Sequence, residues 1–433
     1  MEDGKAPPRG RFQRFVKLAS LSATLGTDVV TRGVRRLAGA DPDPFGRGAA
    51  EKLVATLGDL KGAAMKLGQM ASMDPDLFPP EVLKVLSRLQ NEAPSMPFSD
   101  VTDVFSDELG QAPSELYETF DEKPLAAASL GQVHRATLKG GRVVAVKVQY
   151  PGIGEALKAD LNNMGAVVKA FSMTSKLMDG RAYFREIAEQ MALELDYLRE
   201  AELARQMAAA VKMFPELKVP EVIAELTTKR ILTLELLPGE TLKALLARGV
   251  GNADRFRVAR QLIVAINGPF LLSGLVHADP HPGNFMVMPD GRLGLMDFGA
   301  VKQFSAGFHR THARFFRDAV KGEHVDVLKV MREVGFTLEL PDAEAQPLAQ
   351  QMLDIAVRPL KTDFYDFALC TASADSKRLF AKHAAQYLKM RPPAESVMFG
   401  RSFGGLSQNL KLLAAQGNFR EVYQGLVPLV TAA

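Results

Sequence analysis

Three short segments, in a fixed order, constrain this chain more than its length does. Ala145-Val146-Lys147 sits in the mostly apolar run 143–149. His277-Ala278-Asp279-Pro280-His281-Pro282-Gly283-Asn284 then puts an aspartate and an asparagine five positions apart. Asp297-Phe298-Gly299 follows thirteen residues after Asn284, directly behind the short apolar run 293–296. A lysine inside an apolar strand either snorkels to an edge or points at something that needs its charge. An ammonium suits phosphate oxygens, and Asn and Asp oxygens are the hard donors that Mg²⁺ takes. Each piece alone is common by chance. The ordered set, with suitable local structure at each step, is not.

Composition leaves room for such a site. With 433 residues, 47% hydrophobic and 24% charged, the chain can bury a sizeable core and form two or three compact units. A net charge of +3 gives no global reason to expect nucleic acid as a partner. The local exception is residues 1–40, where eight basic residues face three acidic ones. Such a stretch can lie on anionic lipid, although a solvated helix is its commoner fate. The single cysteine, Cys370, excludes an intramolecular disulfide and fits a reducing compartment. The first fourteen residues lack the apolar centre of a secretory signal, and Glu2 and Asp3 count against a transit peptide. The longest candidate run, 262–276, is interrupted by Asn267, Gly268, Pro269, Ser273 and Gly274, so no transmembrane segment is expected. The expected location is the cytoplasm, with any membrane contact peripheral.

Along the chain, the spacing of Leu53, Leu57, Leu60, Ala64, Leu67 and Ala71 predicts a helix over 48–72, and Pro75, Pro79 and Pro80 end it. Gly58, Gly62 and Gly68 on that helix favour a close neighbour. The expected units are an all-α extension over 1–112, a small β-rich lobe over 113–238 and a mostly helical lobe over 239–433. In the middle lobe, 133–138 and 143–149 read as a hairpin around Lys139-Gly140-Gly141-Arg142. Residues 181–212 read as one long helix, on which Asp196 and Glu200 share a face while Glu194 points elsewhere. Strands are expected at 219–224 and 230–236, a helix at 254–275, and helices throughout after about 305. This order suits a two-lobed α+β enzyme.

A strand lysine, an Asp with Asn five later and then Asp-Phe-Gly form the protein-kinase signature. In that pattern Asn284 and Asp297 hold Mg²⁺, and Asp279 orients or deprotonates the acceptor. His277 and His281 flank Asp279, and their spacing favours structural roles over metal binding. Four segments go further and resemble the atypical kinase-like UbiB family associated with ubiquinone biosynthesis. Lys66-Leu67-Gly68-Gln69 resembles its KxGQ motif. Ala126-Ala127-Ala128-Ser129-Leu130-Gly131-Gln132-Val133 resembles the alanine-rich loop that replaces the kinase glycine-rich loop. Glu194-Leu195-Asp196 resembles its ExD motif. The fourth segment is 277–284 with Asp297-Phe298-Gly299. Arg401-Ser402-Phe403-Gly404-Gly405-Leu406 also resembles a C-terminal feature of the family; its residues alone predict only a close helix contact.

The resemblance implies a bilobal protein-kinase-like fold with the helical extension added. It implies that Lys147 pairs with Glu200 and contacts phosphates, and that Ala126, Ala127, Ala128 and Ser129 cover the nucleotide. Glu235 and Leu237 would meet the adenine at an interlobe hinge. The KxGQ helix would fold over the cleft, with Lys66 and Gln69 near Glu194 or Asp196. The implied ligands are ATP or ADP with Mg²⁺, and the implied lipid partner is a prenyl-quinone precursor. No feature assigns an oligomeric state. Two rivals stand beside an ATPase or small-molecule kinase: a nucleotide-gated lipid or protein binding module, and an ordinary Ser/Thr protein kinase. The alanine segment and the lack of Ala-Pro-Glu after Asp297-Phe298-Gly299 disfavour the last.

Overall fold

The computed structural model describes residues 96–128, 130–155 and 193–431. The expected helix over 48–72, Lys66, Gln69, Ser129 and the basic N-terminal stretch lie outside the described residues. The chain divides into two compact units. One runs to Arg199 and takes in Ile223–Glu235; the other comprises Glu200–Val222 and everything from Leu236.

In the first unit, helix α1 (Phe98–Leu109) packs on a five-stranded antiparallel sheet. Its strands are β1 (Tyr117–Phe120), β2 (Ala126–Ala128), β3 (Gly131–Leu138), β4 (Val143–Gln149) and β5 (Ile231–Glu235). The order is β1-β3-β4-β5, with β2 also paired to β3. The predicted hairpin is the β3–β4 pair. Val101, Val104 and Phe105 recur at helical spacing on α1 and meet Ala136, Val144, Val146, Val148 and Ile231. Alternation does the rest. Val144, Val146 and Val148 point into this core at 0% exposure, so Lys147 must point to the other face.

Two expectations change. Residues 219–224 do not form a strand. The ladder of Leu217–Lys218 is two residues long, Pro220 has no amide to donate, Val222 makes an isolated bridge, and a 3₁₀ turn forms at Ala224–Leu226. The long helix expected from 181 is described from 193 onward, and there helix α2 spans Tyr197–Ala210. Asp196 is not on its face but just before it. Its Oδ1 accepts the amides of Leu198 and Arg199 at 3.1 and 3.4 Å, which caps the helix.

The second unit is built around α3 (Asn252–Ser273), of whose 22 residues thirteen are buried. A helix apolar on most sides has to be a central one. One small sheet pairs Leu293–Gly294 in parallel with Leu217–Lys218, and antiparallel with Phe285–Val287, which in turn pairs Glu240–Thr241. A second pairs Leu275–His277 with Val301–Gln303. Helices α4 (Ala306–Lys321) and α5 (Ala394–Leu412) pack against α3. The region after 305 is helical as expected, apart from two-residue ladders at Thr337–Leu338 with Met390–Arg391 and Tyr365–Asp366 with Gln416–Gly417.

An aromatic cluster joins α3, α4 and α5. Phe399 touches Phe270, Phe304, Phe308 and Phe403, and the His312 ring lies 4.0 Å from Phe308 and 4.4 Å from Phe399. Burial pushes the His312 pKa below 6.5, against smaller opposing effects of the Phe308 carbonyl and Glu395. The neutral ring is therefore the one the fold prefers. Its stabilising contribution is complete above pH about 6.5 and is lost as pH falls through the lowered value. Urea unfolding at pH about 7.5 and about 5.5 should show a loss on acidification that is smaller in His312→Phe. Equal losses in both proteins would contradict this.

Candidate functional site

The first unit carries Lys147, Ala126–Ala128, Glu194, Asp196 and Glu235. Lys147 is partly buried on β4 between Val133 of β3 and Leu232 of β5. Its ammonium lies 5.0 Å from the centroid of the buried Tyr197 ring, a cation–π contact. Glu194 is 9% exposed in the turn before α2.

The alanine segment is not a loop. Ala126–Ala128 form β2, paired antiparallel with Gly131–Val133. Ala126 and Ala127 are exposed, so this strand presents methyl groups and backbone to solvent. Gly131 explains why the turn can sit so close to β4. A Cβ built there would be 2.0 Å from the carbonyl oxygen of Val148.

Behind β2 lies a buried network with no forewarning in the motif. Gln132 Oε1 accepts the amide of Met96 at 2.9 Å, and Gln132 Nε2 lies 2.8 Å from His134 Nε2. His134 Nδ1 lies 2.8 Å from the Asp121 carbonyl. The consistent tautomer carries its proton on Nδ1 and accepts from Gln132 at Nε2. Burial pushes the His134 pKa below 6.5.

The second unit carries Glu200, Leu237, Asp279, Asn284 and Asp297, and it brings three of them into one loop system. Leu275–His277 ends in the ladder to Val301–Gln303, and the chain then enters the loop 278–284. Asn284 donates its side-chain amide to the Asp279 carbonyl at 3.1 Å. The donor end of Asn284 is thus engaged with the loop's own backbone. His281 Nδ1 accepts the Gly283 amide at 3.1 Å, and His277 Nε2 lies 3.0 Å from the Met296 carbonyl. Each imidazole thus makes one contact within the loop system, while the buried His277 Nδ1 has no hydrogen-bond partner among the described residues. Met296 in turn donates its amide to the Asn284 carbonyl at 2.9 Å.

Asp297 has φ of +58°, a left-handed conformation that few non-glycine residues adopt. Its Oδ1 accepts the Gly299 amide at 3.3 Å. Next to it, Phe298 is fully buried, and its amide donates to Glu200 Oε1 at 3.3 Å. Glu200 is itself 3% exposed. So the Glu200 carboxylate reads the backbone of Asp297-Phe298-Gly299, a contact that its sequence neighbours do not announce. Leu237 is buried against Gly294.

Asn284 and Asp297 offer only oxygen donors. That set fits Mg²⁺, which takes one or two protein oxygens and completes its shell with water and phosphate. Asp279 is 6% exposed, and its Oδ1 is buried with no hydrogen-bond partner among the described residues. A buried carboxylate oxygen without a hydrogen-bond partner is uncommon and calls for an explanation.

The chain is similar to several known proteins. The ABC1 atypical kinase-like domain matches residues 88–331. The mitochondrial atypical kinase coq-8 of Caenorhabditis elegans is 31% identical over 96% of this chain. The AarF domain-containing protein kinase 1 of Xenopus tropicalis is 38% identical over 64% of it. This chain spans 57% of the nematode protein and 54% of the frog protein. Among solved structures, the Rv3197–erythromycin complex from Mycobacterium tuberculosis superposes with a TM-score of 0.61 at 30% identity. That match covers 94% of this chain and all of the other.

Proposed function

The chain belongs to the ABC1 atypical kinase-like family, and from that premise we propose that it binds ATP with Mg²⁺ and hydrolyses it or transfers its γ-phosphoryl group. The loop around Asp279 carries this reading: Asn284 donates to the Asp279 carbonyl, while a buried Asp279 oxygen has no hydrogen-bond partner among the described residues.

Each residue has a task its surroundings support. Lys147 offers its ammonium to phosphate oxygens from a strand that cannot shift without disturbing the valine core. The exposed strand Ala126–Ala128 covers the phosphates, and Ser129 is proposed to join it in binding the nucleotide. Glu235 and Leu237 meet the adenine. Asn284 and Asp297 hold Mg²⁺, which neutralises charge on the phosphates when bound. Asp279 takes the proton of the attacking hydroxyl or water as the bond to phosphorus forms and ADP leaves. Glu200 holds the Phe298 amide and so fixes the backbone that presents Asp297.

The lipid class rests on the resemblance to the ubiquinone-associated family: a prenyl-quinone precursor, met by peripheral membrane contact. No helix among the described residues is long and apolar enough to cross a membrane. Lys66 and Gln69, with Glu194 and Asp196, are proposed to gate access.

The test is ATP hydrolysis by purified protein with Mg²⁺, with and without anionic liposomes and a phenolic head-group mimic. Turnover that rises with liposomes or phenol supports the reading. Absence of turnover under every condition, alongside nucleotide binding, would replace it with a nucleotide-gated binding module.

A further inference from the structure

The loop that carries Asp279 is held by a helix far along the chain. We propose that Asn409 and Gly405 of α5 are positioning residues for Asp279, with α5 as a fixed brace behind the loop. The role rests on the phosphoryl-transfer reading above; the brace itself rests on geometry.

The geometry is specific. Asn409, 2% exposed, donates its side-chain amide to the Pro280 carbonyl at 2.7 Å. Asn284 does the same to the Asp279 carbonyl at 3.1 Å. Two successive carbonyls are therefore held by two carboxamides. The ring of Pro280 fixes its own φ. So ψ of Asp279, and φ and ψ of Pro280, are all set. On the other side of Asp279, the Ala278 amide donates to the Ala300 carbonyl at 3.1 Å, and His277 pairs with Val301. With both flanks fixed, the backbone aims the Asp279 carboxylate, and its Oδ1 has no hydrogen-bond partner among the described residues.

Gly405 makes the brace possible. A Cβ there would stand 2.0 Å from Cγ of Pro280, so only glycine lets α5 approach the proline ring. Gly404, its neighbour, would meet nothing within 4 Å. A glycine inside a helix costs stability relative to alanine. The contact with Pro280 accounts for Gly405, while nothing comparable accounts for Gly404. That makes Gly404 the internal control.

The test uses the full chain and reads turnover, nucleotide affinity, amide hydrogen exchange and melting. Asn409→Asp keeps the side-chain volume but removes the donor. It should lower kcat about 10- to 100-fold, with nucleotide affinity held within about threefold, because loss of orientation acts on the reacting geometry rather than on binding. Gly405→Ala should do the same, and Gly404→Ala should leave kcat unchanged. In an Asp279→Asn background, Asn409→Asp should add no more than about a twofold loss, since a brace acting through Asp279 has nothing left to position. A full extra loss there, or single variants with wild-type kcat, would overturn the proposal. Amide hydrogen exchange over residues 278–284 should quicken in Asn409→Asp and Asn409→Ala, and this readout needs no turnover. If it quickens while the wild type never turns over ATP, the brace holds and the phosphoryl-transfer reading fails. If the wild type turns over ATP but neither exchange nor kcat changes, the reading holds and the brace fails. If the Asn409 variants and Gly405→Ala all lose cooperative melting, these are folding residues and the positioning role is overturned.

Discussion

Gly131→Ala should part strands β3 and β4 and destabilise the first unit by about 1–3 kcal/mol or more, the usual range for forcing atoms into a filled space. The added Cβ would stand 2.0 Å from the Val148 carbonyl oxygen and 2.8 Å from its carbon. Those are backbone atoms, so no side-chain rotation relieves the clash. The Gly131–Gln149 end of the ladder must open. Ala128 pairs with Gly131 and Lys147 sits two residues before Gln149, so the disturbance reaches both the alanine strand and the lysine. The expected result is a lower melting temperature and a loss of nucleotide affinity larger than the stability loss alone explains. A variant that melts and binds like the wild type would show that the β2–β3 turn is not held this tightly.

Asp297→Asn should remove ATP turnover by at least about 10²-fold while leaving the fold intact, the scale seen when a group stabilising developing charge is lost. The substitution is chosen for its backbone. At φ of +58°, asparagine is among the few residues that rest without much strain. It can still accept the Gly299 amide, now at 3.3 Å from Oδ1. What it loses is the anionic oxygen for a divalent cation. A drop in kcat with an unchanged melting temperature separates this role from folding. Full turnover in the variant would remove Asp297 from the chemistry.

Much of this was legible in sequence because the informative contacts are short in range. Lys147 announces itself through alternation, since three buried valines at every second residue force it to the other face. Asp279 and Asn284 lie five apart, and one hydrogen bond joins them. The alanine segment was harder. Three alanines carry no strand pattern, and the pairing that makes them a strand depends on how closely Gly131 approaches β4. Asp196 departs from the helical expectation for a local reason. An Asp within a helical pattern can equally cap the helix that follows, and the capping bonds to Leu198 and Arg199 decided it. The Met96–Gln132–His134 network and the Asn409–Pro280 bond join residues 36 and 129 positions apart. No periodicity in a single chain encodes such pairs. Gly405 left a trace, a costly glycine in a helix, but not the identity of what it touches.

Asn284 and Asp297 are proposed to bind nucleotide through Mg²⁺. The most direct measurement is the rise in melting temperature caused by ATP across a Mg²⁺ titration, in the wild type, Asn284→Ala and Asp297→Asn. Ligand that binds only the folded state raises the melting temperature with its concentration over its Kd. The rise should grow with Mg²⁺ in the wild type and largely lose its Mg²⁺ dependence in both variants. A rise that ignores Mg²⁺, or that persists unchanged in the variants, would contradict it.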